Sequence, residues 1–289
     1  MNNITALITP FNDDLKIDYK KLKELIIFQE KSNMDSLLLL GTTAEAFSLT
    51  LKEKLAICNI AFENYTKTKI IAIEGNNIDK ILNDIDIFKN FMPNYFLITP
   101  PFFVKGDEKG ILSFFNEIAN YSPVPIIIYN IPSRAGFSIS LNTLETLAKH
   151  HNIYGIKNAS FDSHYNLKLS LLNSHTFKVY SGNDLSYFEN ISLNNNGCFS
   201  VIANIIPNYF SSIFDLYQKD QFSSNERFKK IINTLLDMER FVNPASIKSI
   251  MHSLNIIDYK LRAPFSSEFD SSKNINFERS IFNEYPTCW

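Results

Sequence analysis

The sequence predicts an α/β fold of the (β/α)8 barrel class with a C-terminal helical extension. Three observations lead there. Eight short apolar runs, interspersed with helical spacings, occur in roughly the first 220 residues, about the length such a barrel needs. No glycine-rich nucleotide turn follows any of the runs, which disfavours the doubly wound sheet, the alternative that pattern alone leaves open. From residue 223 on the strand pattern stops and only helical spacings remain. The expected division is a barrel over residues 1–222 and an extension over residues 223–289. No low-complexity linker separates the two, so the extension reads as an appendage and not as an independent domain.

Taken in order, residues 4–9 form a short strand ending at Pro10. Residues 18–31 carry Leu22, Leu25, Ile26 and Gln29 at helical period, with Asp18 as N-cap. A strand over 37–40 runs into Gly41-Thr42-Thr43, and a helix over 49–65 follows with Thr50 as cap. Strand 70–73 precedes helix 79–90; strand 95–99 runs into Pro100-Pro101 and precedes helix 110–121. Strands 126–129 and 154–157 flank a helix over 141–150. Strands 178–181 and 198–201 complete the set, with helices at 185–193 and 208–217. Helices at 225–240, 244–254 and 276–284 make up the extension.

The stretch 126–160 organises the rest. Its two apolar runs, Ile126-Ile127-Ile128-Tyr129 and Tyr154-Gly155-Ile156-Lys157, read as buried strands bounded by turn formers. A helix between them makes them parallel neighbours. Tyr129 and Lys157 then share the C-terminal edge of the sheet, where barrels and open α/β folds do their chemistry. For a lysine met at random, a solvated or ion-paired ammonium is the commoner role. The alternative is a Schiff-base nucleophile, which needs a pocket that lowers the amine from its ordinary pKa of about 10.4. A phenol one strand earlier favours the second role, because it can relay the protons that carbinolamine formation and dehydration require.

Composition narrows the classes further. The chain has 289 residues, 45% of them hydrophobic, enough for a full core. A net charge of -2 offers no electrostatic case for nucleic acid or an anionic membrane. Cys58, Cys198 and Cys288 lie far apart without metal-ligand spacing, and an odd count suits a reducing compartment, so a cytoplasmic protein is expected. The start shows neither a basic region nor a long apolar run, so no signal peptide is expected, and no apolar stretch approaches the roughly 20 residues that span a bilayer. His150, His151, His164, His175 and His252 show no ligand spacing. No metal, flavin or nucleotide motif is present, and no cofactor is expected.

Two segments, Tyr-Asn-Ile-Pro-Ser-Arg-Ala-Gly at 129–136 and Gly-Ile-Lys-Asn-Ala-Ser at 155–160, resemble the signature segments of the dihydrodipicolinate synthase / N-acetylneuraminate lyase family. So do Gly41-Thr42-Thr43-Ala44-Glu45-Ala46, Ser181-Gly182-Asn183-Asp184, Gly197-Cys198-Phe199-Ser200-Val201, and Asn243-Pro244 with Lys248 and Leu261-Arg262-Ala263-Pro264. All six occur in order and in register over nearly the whole chain. Pro132-Ser133-Arg134 resembles the dihydrodipicolinate synthase branch in particular.

The resemblance implies a pyruvate-dependent lyase with Lys157 as the Schiff-base nucleophile and Tyr129 and Thr42 in a proton relay. It implies that Thr43 holds the carboxylate of pyruvate, that Arg134 orients the carboxylate of the aldehyde, and that the backbone carbonyl of Phe199 contacts the adduct. The residues themselves are consistent with these roles. Two hydroxyls and the backbone N–H groups of a βα turn can hold a small carboxylate without a bulk cation, and a guanidinium fork at a pocket mouth suits a second one. Glu45 reads as a cap of the helix that follows. The implied aldehyde is aspartate 4-semialdehyde, in lysine and diaminopimelate biosynthesis, and a homodimer or homotetramer is implied as well. A 2-keto-3-deoxy sugar acid or N-acetylneuraminate aldolase using the same lysine is the alternative among enzymes. A barrel that binds pyruvate without turnover is the alternative outside them.

The departures from the family pattern carry equal information. Phe102-Phe103 stands where the family has two tyrosines, the second donated across a subunit interface to complete the relay. Ala44 replaces a glycine, and Asn194-Asn195 replaces a glycine pair, a change that asparagine's tolerance of left-handed backbone makes benign. Ala46, Phe47, Ile81 and Phe102 stand where polar residues would bind lysine as an inhibitor, with Asn77 retained, so weak or absent inhibition by lysine is expected.

Overall fold

The computed structural model describes residues 3–268, 275 and 277–283. Eight strands close in sequence order into a barrel: β1 (Ile4–Ala6), β2 (Ser36–Leu39), β3 (Thr68–Ile73), β4 (Tyr95–Ile98), β5 (Ile126–Asn130), β6 (Ile153–Asn158), β7 (Lys178–Ser181) and β8 (Gly197–Ser200). Neighbours pair in parallel. The helices are α1 (Tyr19–Glu30), α2 (Leu51–Asn64), α3 (Ile78–Phe88), α4 (Glu108–Tyr121), α5 (Pro132–Ala135), α6 (Leu141–Leu147), α7 (Ser163–Ser170), α8 (Tyr187–Ser192), α9 (Pro207–Tyr217), α10 (Gln221–Glu239), α11 (Ala245–Ser253) and α12 (Arg279–Asn283). This is a (β/α)8 barrel with helices at its C-terminus. The described residues pack as two compact units, one of residues 68–199 and the other of residues 3–67 with the described residues from 200 on.

Within the first unit, β3 to β7 are near-continuous apolar runs, because both faces of a parallel strand are covered. Ile70, Ile71, Phe96, Ile98, Ile126, Ile128, Ile153 and Ile156 are each at most 2% exposed. Turn chemistry sets the helix starts. Asn77, Asp107, Ser140 and Asp162 cap α3, α4, α6 and α7 by accepting from the backbone N–H three residues on. Pro132 opens α5, and Gly136, in left-handed backbone at φ 83, ends it.

Within the second unit, Asp18 caps α1, and Thr50 with Glu53 forms a reciprocal capping box on α2. Strand β1 is shorter than the expected 4–9. Past Ala6 the ladder to β2 adds one bond, from Leu7 N to Leu38 O at 3.1 Å, and the side chain of Asn204 then accepts from Ile8 N at 3.1 Å and donates to Ala6 O at 2.8 Å. Helix α10 packs on α9 through Tyr209, whose hydroxyl donates to Arg227 O and whose ring lies 4.0 Å beneath the Arg227 guanidinium.

Two helices escape pattern reading. α7 buries only one apolar side chain, Leu169, so the 3.6-residue period has nothing to display. α5 is a single turn of four residues inside what reads as a loop. α10 starts at Gln221, four residues before the expected helix, because Asp220 caps it by accepting from Phe222 and Ser223 N–H. The expected helix at 276–284 is described over Arg279–Asn283; residues 276 and 284, like Cys288, lie outside the described residues. Asn194 adopts left-handed backbone at φ 56, a conformation asparagine tolerates better than most residues. Beside Ala44, the left-handed residue is Glu45 at φ 55, so a Cβ at 44 costs no backbone strain. No helix among the described residues is long and apolar enough to cross a membrane.

One close approach in the barrel wall is testable. A Cβ on Gly155 of β6 would lie 2.2 Å from the carbonyl oxygen of Lys178 on β7, a backbone atom that cannot move without opening the pair. Gly155→Ala should destabilise the protein by about 1–3 kcal/mol, read as a lower urea midpoint.

Candidate active site

The site is built from strand ends. On β5 and β6, Tyr129 lies opposite Lys157 and Asn130 opposite Asn158; on β6 and β7, Lys157 lies opposite Tyr180. Successive side chains of a strand point to opposite faces. The Asn158 side chain meets Asn166 of α7 at 2.7 Å, so Asn158 faces the helices and Lys157 faces away from them. Lys157 is 5% exposed. Its ammonium nitrogen lies 3.9 Å from the centre of the Tyr129 ring and 5.1 Å from that of Phe199. Phe199 in turn packs edge-on against Tyr180 at 5.4 Å between centroids. An amine packed against two aromatic rings and held away from solvent can act as a nucleophile toward a ketone.

The stem of Lys157 is confined too. A Cβ on Gly182 would sit 3.1 Å from Lys157 Cε and 3.0 Å from Ala159 Cβ. Gly182 N–H donates to Asn158 O at 2.7 Å, extending the ladder one residue past β7. The glycine of the Ser181-Gly182 segment therefore leaves room for the lysine. Cys198, fully buried in β8, has its thiol pushed well above the ordinary range by burial and by the charge of Asp184. It is a packed, inert thiol.

Arg134 lies on α5, directly after β5, and is exposed. Ala135 O of the same turn accepts from Phe103 N at 3.3 Å, which ties the segment after β4 to that turn. The amide of Asn76 grips the neighbouring backbone from both sides, accepting from Phe102 N at 2.8 Å and donating to Phe102 O at 2.9 Å. Phe103 has φ 70, a left-handed backbone that bulky residues seldom adopt, and the residue is 94% exposed.

Thr42 and Thr43 belong to the second unit, in a 3₁₀ turn of Thr42–Ala44 after β2. Thr43 is buried, and its hydroxyl oxygen accepts from Asn243 Nδ2 at 2.9 Å. That bond occupies a lone pair and leaves the O–H proton for an acceptor such as a carboxylate. Glu45 does not cap α2, a role that Thr50 fills. Its carboxylate turns inward, accepting from Lys248 Nζ of α11 at 2.6 Å and from Arg262 N at 3.0 Å. Both partners of the Glu45–Lys248 pair are buried, at 1% and 0% side-chain exposure. Lys248 also donates to Lys260 O at 2.9 Å and stands 4.3 Å over the Phe11 ring. Burial holds its ammonium down at about 8, against the pull of Glu45. Arg262 forks onto Glu53 at 2.6 and 3.0 Å and holds that carboxyl down at about 2.

The sequence model of the dihydrodipicolinate synthetase family matches residues 1–281. The chain belongs to the dihydrodipicolinate synthetase family. Among its relatives, a 4-hydroxy-tetrahydrodipicolinate synthase of Brachyspira hyodysenteriae is 33% identical over 286 residues, covering 97% of this chain and 96% of that one. One of Staphylococcus haemolyticus is 33% identical over 262 residues, covering 90% and 88%. Among solved structures, the chloride-inhibited dihydrodipicolinate synthase of Acinetobacter baumannii, complexed with pyruvate, superposes with a TM-score of 0.89 at 26% identity, covering 98% of this chain and 96% of that one. The dihydrodipicolinate synthase of Thermotoga maritima shares the fold, with a TM-score of 0.90 at 22% identity over 98% of this chain and 96% of that one.

Sequence reading of this dihydrodipicolinate synthetase family member missed the Glu45–Lys248 pair, because 203 residues separate its partners. The ion pairs make two tests. Glu45→Ala strands the Lys248 charge in the interior and should cost about 3–5 kcal/mol in denaturant unfolding. Glu53 has its ordinary value of 4.5 lowered to about 2, so the stability it contributes is complete above about 4.5 and is lost as pH falls through about 2. The gap in Tm between the unaltered protein and Glu53→Gln should therefore close between pH 5 and pH 2, in thermal melts followed by circular dichroism.

Proposed function

We propose that this protein is a 4-hydroxy-tetrahydrodipicolinate synthase, condensing pyruvate with aspartate 4-semialdehyde in lysine and diaminopimelate biosynthesis. The observation that carries the reading is Lys157 at the end of β6, with its amine 3.9 Å from the ring of Tyr129 opposite it, in a chain of this family.

Lys157 attacks the pyruvate ketone to give a carbinolamine. Loss of water leaves an iminium that draws electrons from the adjacent methyl. The methyl gives up a proton, and the enamine carbon attacks the aldehyde. The amino group of the acceptor then adds to the imine carbon and expels Lys157, closing the ring and restoring the free amine. Tyr129 and Thr42 carry the protons, and Thr43 binds the pyruvate carboxylate through its available O–H. Arg134, on an exposed single turn beside β5, binds the carboxylate of the aldehyde bidentately. The carbonyl of Phe199 contacts the adduct. Phe103 supplies no hydroxyl to the relay, so a water takes that place.

The protein acts on small molecules, in the cytoplasm, and as a homodimer or homotetramer. Phe103 supports the assembly: its backbone is held by Ala135, the residue is 94% exposed, and Val104 beside it is 56% exposed. Exposed apolar neighbours of this kind fit burial by a second copy.

Four measurements test the reading. Borohydride reduction in the presence of pyruvate should leave an adduct on Lys157, found by peptide mass spectrometry and absent in Lys157→Ala; an unmodified Lys157 would support the non-catalytic barrel instead. Arg134→Ala should keep the pyruvate adduct and lose roughly 10- to 100-fold in kcat/KM for the aldehyde. Phe103→Tyr should raise kcat by restoring a proton carrier. L-lysine at low millimolar concentration should leave the rate above half.

A further inference from the structure

Asn130 and Asn158 are the last residues of β5 and β6 and stand opposite each other in register. Both are buried, at 0% and 7% exposure, on the face of the strands that meets the helices. An apolar pair would serve a helix-packed strand face at less desolvation cost. The chain keeps two amides there, and every polar atom of both is used. Asn130 Nδ2 donates to Asn158 Oδ1 at 2.9 Å, and Asn130 Oδ1 accepts from Ile139 N at 3.1 Å. Asn158 Nδ2 donates to Asn166 Oδ1 at 2.7 Å, while Asn158 Oδ1 also accepts from Ser160 N at 3.4 Å.

The connectivity gives these bonds their meaning. Asn130 precedes and Ile139 follows the segment 131–138, which carries Arg134 on α5. The Asn130 side chain thus ties the far end of that segment back to its root, and the Tyr165 hydroxyl adds a second hold on Ile139 O at 2.8 Å. The other end of the Asn130 amide grips Asn158, the residue after Lys157. Backbone bonds run the same way, from Ala159 N to Asn130 O at 2.8 Å and from Gly182 N to Asn158 O at 2.7 Å. A single chain of bonds therefore links the strand end that presents the amine to the loop that presents the guanidinium.

We infer that the Asn130–Asn158 amide pair is a positioning element, which holds the Arg134 loop in register with the Lys157 strand end and so sets the affinity for the acceptor's carboxylate. The inference rests on the function proposed above. Neither amide touches a reacting atom; both act through their neighbours. An asparagine can donate and accept at once, which a leucine of similar size cannot.

Asn158→Leu removes the link and Asn158→Asp keeps its acceptor for Asn130. With kcat counted per borohydride-trapped Lys157, Asn158→Leu should raise the KM for aspartate 4-semialdehyde about fivefold, with the KM for pyruvate nearly unchanged. Asn158→Asp should restore the aldehyde KM to within about twofold of the unaltered protein, by retaining that one bond. A merely structural role would lower stability and active fraction in the Leu variant without moving the aldehyde KM, and that result would overturn the inference. Should Asn158→Leu not fold, amide hydrogen exchange on the unaltered protein decides: Ile139 N–H should exchange far more slowly than that of Ser138, and equal rates would overturn the tie. If the unaltered protein forms no pyruvate adduct, the proposed function fails and the claim about acceptor affinity falls with it. An adduct with an unmoved KM defeats the positioning role alone.

Discussion

Register is the constraint on which the rest depends. Side chains alternate along a strand, so a slip of one residue between β5 and β6 would turn Lys157 toward the helices and set Asn158 in its place. The pairing of Tyr129 with Lys157, and of Lys157 with Tyr180, is therefore what puts one amine against aromatic rings. Two features guard it. Gly155 lets β6 approach β7 so closely that no Cβ fits. The buried bond between Asn130 and Asn158 is satisfied only when the two strand ends are level. A polar pair in a packed layer stabilises little in net terms, yet it penalises every register that leaves it unsatisfied.

A second constraint acts in the unit that contains the Thr42–Thr43 turn. The turn is anchored from the C-terminal helices: Asn243 donates to Thr43, Lys248 of α11 pairs with Glu45, and Arg262 reaches Glu45, Ser48 and Glu53. Helix α11 is thus tied to the loop after β2 by charges taken out of water. Such a pair is costly to break, because either partner alone would be an unpaired charge in the interior. The C-terminal helices thereby hold the turn that bears Thr42 and Thr43.

Much of this was legible before folding. Alternating apolar runs announced eight strands, and the caps Asp18 and Thr50 marked two helix starts where the structure has them. Lys157 and Tyr129 could be named as neighbours, because strand, helix, strand implies a parallel pair. The sequence also showed that Phe103 lacks a hydroxyl. It did not show that Phe103 stands exposed on left-handed backbone, since that follows from Asn76 and Ala135 gripping the adjoining chain. Glu45 was misread as a cap because a carboxylate before a helix is the local signal for one. Its true partner lies 203 residues away.

Local pattern sufficed for whatever depends on near neighbours: strand and helix periodicity, turn residues, and the order in which reactive side chains reach the strand ends. Tertiary structure alone decided which side chains share one environment. The grip of the two buried amides, the seating of Lys248 beneath Glu45, and the room that Gly182 leaves for the stem of Lys157 each join residues far apart in the chain. Their energies come from burial and geometry that exist only once the elements have packed.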